Sequence, residues 1–138
     1  MSQYFRAGDV VLNPSNRVAE LFVRSSEAVA PLVATPTGIG AMHADDYDVD
    51  LDVFVGFVDA LTAQYLSSSH PILRSLLEGF LATALVLVDR AGRAVPSLHA
   101  NATLDLRDVS VSTAGIGTLG DPRRLQQLAD KLTQAMPR

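Results

Sequence analysis

The sequence predicts a mainly α fold, α+β at most, on three observations. Residues 71–88, PILRSLLEGFLATALVLV, are apolar on nearly every side, and a soluble chain hides such a helix centrally. Three other segments repeat apolar residues at i, i+3, i+4, and only 98–112 alternates with period two. The reading is one domain, 1–138, built around the 71–88 helix, with a minor strand or hairpin near 98–112 and a closing amphipathic helix.

Residues 1–12 place Tyr4-Phe5 and Val10-Val11-Leu12 on either side of Gly8-Asp9, which fits a short hairpin or an extended arm. Asn13 reads as a cap and Pro14 as the first turn of a helix reaching Val33. Val18, Leu21, Phe22, Val29, Leu32 and Val33 trace its apolar face, and Pro31 ends or kinks it. Residues 34–44, ATPTGIGAMHA, carry the punctuation of a loop. A second helix starts around Asp50 to Asp52 and runs to Leu66 with Phe54, Phe57, Val58, Leu61 and Tyr65 inward.

For the central helix, Ser69 is the expected cap and Pro71 suits the first turn. Leu73, Leu76, Leu77, Phe80, Leu81, Ala84 and Val88 fall on one spacing, and Arg74 and Glu78 can pair at i, i+4. Arg90 and Gly92 mark its end. The uninterrupted apolar run after Glu78 is short of the ~20 residues that a bilayer needs, so no membrane is expected. From Leu98 to Leu106 apolar and polar residues alternate, and the phase slips at Arg107-Asp108 as a bulge or turn would make it. Asp121 and Pro122 open the last helix, whose stripe is Leu125, Leu128, Ala129, Leu132 and Met136.

A net charge of −4 argues against nucleic acid as the main partner. With no cysteine there is no thiol chemistry or thiolate metal site, and no cofactor is implied. No leader pattern opens the chain, so a cytoplasmic location is expected. Lys131 is the only lysine among many arginines, a bias associated with GC-rich bacterial coding.

Several motifs fail on their context. Gly115 to Gly120 spells GxGxxG between a strand and a helix, but the chain ends at Arg138 without a second parallel strand or a ribose-binding acid. The ladder Asp46, Asp48, Asp50, Asp52 superficially matches a calcium loop, yet Val53 stands where that loop needs glycine, and helix follows. Acids gathered at a helix N-terminus complement its dipole, so no metal site is assigned. Asn101-Ala102-Thr103 is a glycosylation sequon by letter alone. Among the histidines, His43 stands nearest carboxylates, and His43, Asp45 and Asp46 are the only catalytic candidates.

The charges are segregated. No basic residue lies between Arg24 and Arg74, a span holding Glu27, Asp45, Asp46, Asp48, Asp50, Asp52 and Asp59, whereas basic residues predominate after Arg90. The last helix is expected to dock its arginines on the acid segment in one molecule, or else to associate with a partner. Arg123, Arg124, Leu128 and Leu132 are the candidate partner-binding residues. Because an apolar stripe of that size must find a surface, a homodimer is the expected assembly.

The opening SQYF, the NPSN helix start, the TGIGAM loop and the FVDAL and EGF-ATAL segments resemble a small actinobacterial family without an assigned activity. The resemblance covers residues 1–92 and implies a tryptophan before NPSN, where this chain has Leu12. In size and helical-hairpin pattern the chain is more loosely similar to the WXG-type proteins of type VII secretion, but it lacks their Trp-x-Gly turn and tyrosine-based export signal. Function is therefore expected to be non-enzymatic binding, through self-association or a protein partner. The alternative is a small enzyme or carrier of a small apolar ligand, for example a natural-product cyclase. Its pocket would be lined by Phe22, Phe54, Phe57 and Phe80 and bordered by the His43 to Asp52 segment.

Overall fold

The computed structural model describes residues 3–12, 14–100 and 121–136, with the backbone alone for 9–12. Element order is β1 (Tyr4–Ala7), β2 (Asp9–Leu12), α1 (Asn16–Val33), β3 (Ile39–His43), β4 (Asp46–Val49), α2 (Leu51–Ser67), α3 (Pro71–Arg90), a 3₁₀ turn (Pro96–His99) and α4 (Pro122–Ala135). The fold is mainly α with a small sheet, as the periodicities predict.

The sheet is made by the first fifty residues. Its order is β2-β1-β4-β3: two antiparallel hairpins joined by parallel pairing of β1 with β4. Gly8, at φ +83°, turns the first hairpin, so the opening segment is a hairpin and not an arm. Ala44 and Asp45, both at positive φ, turn the second, in the manner of a type I′ turn. Residues 39–43, read as loop, are therefore strand β3. The glycines responsible for the loop reading have a packing reason: a Cβ on Gly38 would meet the Phe54 backbone nitrogen at 2.6 Å, where the chain crosses the start of α2. The Asp50 amide donates to the Gly38 carbonyl at 2.8 Å in the same crossing.

The alternating acids follow from this register. Asp46 and Asp48 occupy alternate positions of β4, Asp50 caps α2 by accepting from the Val53 amide at 3.3 Å, and Asp52 lies in the first turn. Asp46 pairs with Arg6 at 2.7 Å and Asp52 with Arg93 at 2.8 Å.

Helix α1 begins at Asn16 with Ser15 as the N-cap residue, and the proposed cap Asn13 lies outside the described residues. Pro31 is accommodated inside the helix, which continues to Val33. Its buried face is rotated from the expected one: Ala19, Phe22 and Ser26 are buried, while Val18 and Leu21 are exposed. Ser26 disguises the stripe, since its hydroxyl is satisfied locally by donating to the Val23 carbonyl at 2.6 Å.

Helices α2 and α3 form an antiparallel hairpin through Ser68, Ser69 and His70. His70, not Ser69, caps α3, its Nδ1 accepting from the Leu73 amide at 3.4 Å. Burial in α3 runs from Leu77 to Val88, but Ile72 and Leu76, at the other end, are exposed. By length and composition α3 could cross a membrane, though 44% of its most apolar window is buried in the protein. The core adds Phe54, Phe57, Val58 and Leu61 from α2. Phe5 of the sheet meets Phe22 at 5.4 Å, Phe22 stacks on Phe80 at 5.2 Å, and Phe80 meets Phe57 at 6.2 Å, so aromatic contacts link sheet, α1, α3 and α2.

Helix α4 packs on α3 in parallel and in step. Arg124 meets Glu78 near one end and Arg90 donates to the Met136 carbonyl near the other, each pair 46 residues apart. Asp121 caps α4 as expected, accepting from the Arg123 amide at 2.9 Å. Of the stretch 98–112, residues 101–112 lie outside the described residues, and Leu98 and His99 close a 3₁₀ turn in place of a strand. The GxGxxG segment and the sequon also lie outside them.

Candidate functional site

A groove runs between the outer side of α1 and the exposed strands β3 and β4. Gln3 forms its base. The Gln3 amide donates to the Pro14 carbonyl at 3.0 Å, and the next amide, Tyr4, donates to the Asp45 carbonyl at 2.9 Å. Residue 3 is thus tied between the entry to α1 and the β3–β4 turn, which directs its side chain into the junction. From α1, Asn16, Glu20, Val23 or Arg24, and Glu27 follow one another at i, i+4, i+7 or i+8, i+11, a single strip of the helix surface. Met42 and Tyr47 face each other across the strands and form the opposite wall.

Two atoms of this groove are anomalous. Gln3 Oε1 and Asn16 Oδ1 are buried without a hydrogen-bond partner. Gln3 is 8% exposed, and its Nε2 donates to the Met42 sulfur at 3.1 Å. An acceptor buried without a partner costs ~1–3 kcal/mol.

The charges on the rim are Glu20, Arg24 and Glu27. Arg24 is taken up by Glu20 at 3.0 Å, an exposed i, i+4 pair, whereas Glu27 has no ion-pair partner among the described residues. Tyr47 is held by stacking on Phe5 at 4.9 Å, and Met42 is 46% exposed, a flexible apolar group at the mouth.

The residues singled out in the sequence lie elsewhere. His43 is exposed on β3 opposite Asp46, Asp45 is at the turn, and Asp46 is held by Arg6. Among the described residues no group of three His, Asp or Glu side chains is placed to hold a metal ion. Phe22, Phe57 and Phe80 pack ring against ring, and Phe54 is 1% exposed; none of the four lines this groove. A smaller groove at the far end of α3 is lined in part by Asp89, Arg93, His99 and Gln126.

The expected docking of the last helix is corrected in its partner. Arg124 binds Glu78 of α3, through Nε at 2.7 Å and Nη2 at 2.8 Å, and not the acid segment, whose Asp46 and Asp52 take Arg6 and Arg93. Glu78 consequently pairs across helices and not simply with Arg74. Leu125 and Ala129 are buried and Leu132 and Met136 pack partly against the core, so α4 finds the surface it needs within its own chain. Arg123 is exposed and Leu128 half-buried.

Neither Gln3 nor Asn16 is marked by sequence reasoning. An amide side chain in a hairpin or at a helix start reads as a turn or cap residue, and its orphaned state depends on contacts between segments far apart in the chain.

The chain matches the family of unknown function DUF6086 over residues 1–138 and belongs to that family. The match continues past the 1–92 resemblance into the last helix. No curated protein and no solved structure matches the chain.

Proposed function

We propose that this member of a family without an assigned activity is a non-enzymatic binding protein, and that it holds a segment of a protein partner in the groove between α1 and β3–β4. The observation that carries the reading is the groove itself, in which Asn16, Glu20, Arg24 and Glu27 of α1 face Met42 and Tyr47 of the sheet. The strip from Asn16 to Glu27 spans about 16 Å, the length of roughly five residues of extended chain. Met42 and Val23 offer such a segment adaptable apolar contact, beside the carboxylates of Glu20 and Glu27.

The test is an array of immobilised dodecapeptides probed with the wild-type chain and with Gln3→Leu. Peptides retained by the wild type and lost by the variant support the reading. Retention that Gln3→Leu leaves intact, or no retention at all, overturns it.

A further inference from the structure

We infer that the segment held in the groove is an extended strand of the partner, added to the free edge of β3, with apolar or basic side chains at the alternate positions that face α1. This rests on the binding reading above and adds how the partner is held and which chemistry is recognised. The sheet order leaves β3 with β4 on one side and, among the described residues, no strand on the other. Gly40 to His43 are all exposed. An edge of this kind, with backbone N–H and C=O groups unpaired, is a template for another extended chain.

The register identifies the open groups. In a hairpin with a two-residue turn the flanking residues, here His43 and Asp46, form the hydrogen-bonded pair. The next pair, Met42 and Tyr47, is then the non-hydrogen-bonded one, so Met42 turns its N–H and C=O away from β4 to the free edge. The Ile39 amide, at the start of the strand, is satisfied locally by donating to Thr37 Oγ1 at 3.2 Å. Between Ile39 and Met42 the register slips as a bulge makes it, but β3 has no lysine, proline or carboxylate to discourage further pairing.

Met42 also lines the groove, so a strand laid along β3 runs beside α1. Every second side chain of that strand falls on the face of the sheet that carries Met42 and Tyr47, opposite Val23 and the charges of α1. Those charges are two carboxylates, Glu20 and Glu27, against the one guanidinium of Arg24, a sum of −1, and Arg24 is already engaged by Glu20. A basic side chain can lay its methylenes on Met42 and carry its charge to the carboxylates, whereas an acidic one meets like charge.

The experiment is a two-dimensional NMR titration of the full chain with acetyl-Arg-Val-Arg-Val-Arg-Val-amide, its glutamate counterpart, and two N-methylated forms of the arginine peptide, one methylated at the arginine and one at the valine backbone nitrogens. Each is taken to about 5 mM, enough to fill most of a millimolar site. Only one alternate set of amides in an added strand faces β3, so one methylated form should bind at least ~10-fold more weakly than the other. The arginine peptide should give saturable shifts at Val23, Met42 and Tyr47 and slow hydrogen exchange at the Met42 amide, and the glutamate peptide should bind at least ~10-fold more weakly. Met42→Pro, which removes the open N–H and spares the β4 ladder, should lose the arginine peptide, and Met42→Ala should weaken it less. Equal binding of the two methylated forms, or no slowing at Met42, overturns the strand while shifts at Val23 and Tyr47 keep the groove as a binding site. A Met42 amide already protected in the free chain, by this chain or by a second copy, overturns it as well. No shift with any of the four peptides also overturns the strand, and the peptide array then decides the groove reading alone.

Discussion

The Tyr65 hydroxyl donates to Glu78 Oε2 at 2.7 Å, and the same oxygen receives Arg124 Nε at 2.7 Å. One carboxylate therefore fastens α2, α3 and α4 together. Tyr65 is 2% exposed, and burial, with Glu78 beside it, pushes its hydroxyl pKa well up, so it stays a donor. Tyr65→Phe removes a hydrogen bond to a charged group and should cost about 1.5–3 kcal/mol in chemical denaturation. A change within ~0.5 kcal/mol would mean that the three-helix junction is held by apolar contact alone.

The same carboxylate sets a pH dependence. Glu78 is held below its ordinary value of 4.5, chiefly by the hydrogen bond from Arg124 and further by that from Tyr65, against the opposing effect of burial. Its folded pKa is lower than its unfolded one, so on acidification the unfolded chain takes up the proton first. The contribution to stability is full above the ordinary glutamate value and is lost as pH falls through the folded value. Stability measured from about pH 6 to pH 3 should decline less steeply in Glu78→Gln than in the wild type. Parallel profiles would contradict the assignment.

Core and surface apolar positions of α3 should separate clearly. Leu81 is 0% exposed, and Leu81→Ala should cost about 2–5 kcal/mol because it leaves a cavity. Leu76 is 74% exposed, and Leu76→Ala should stay within ~0.5 kcal/mol. Similar losses at both would place Leu76 in an interface that the isolated chain does not display.

The turns offer gains. Ala34 and Ala44 adopt φ of 50° and 49°, where an L side chain is strained, and each replacement by glycine should raise stability by about 0.5–1 kcal/mol. Gly38→Ala should do the reverse and cost at least ~1 kcal/mol, since positive φ is combined there with a close approach to the Phe54 backbone. Thermal melts of the three variants rank them directly, and a stabilised Gly38→Ala would refute the crossing geometry.

Helices were legible where periodicity ran long enough to average over exceptions. The start of α4 at Asp121-Pro122, the α2 span and the end of α3 at Arg90 followed from caps and stripes within the local sequence. Of the sheet, only the first hairpin was among the readings of the sequence, because β1, β2 and β4 have four residues each and β3 contains Gly40-Ala41, too little for a period to show. The parallel pairing of β1 with β4 joins residues about forty apart, which no local pattern encodes. Glu78 illustrates the same limit for charge: Arg74 was the nearest partner in sequence, but Arg124 arrives on a later helix. Of the aspartate ladder, Asp50 and Asp52 stand at the helix start as expected, whereas Asp46 and Asp48 lie on the strand that precedes it, which accounts for the alternation.

The central claim of the groove reading is that Gln3, at the base of the groove, is not there for the stability of the free protein. Chemical denaturation of Gln3→Leu without ligand tests it most directly. Replacing a buried, unpartnered acceptor with an apolar side chain of similar size should leave the free protein as stable as the wild type or up to ~1 kcal/mol more stable. A loss of more than ~1 kcal/mol would show that the Gln3 amide is already satisfied within the fold, and would contradict the claim.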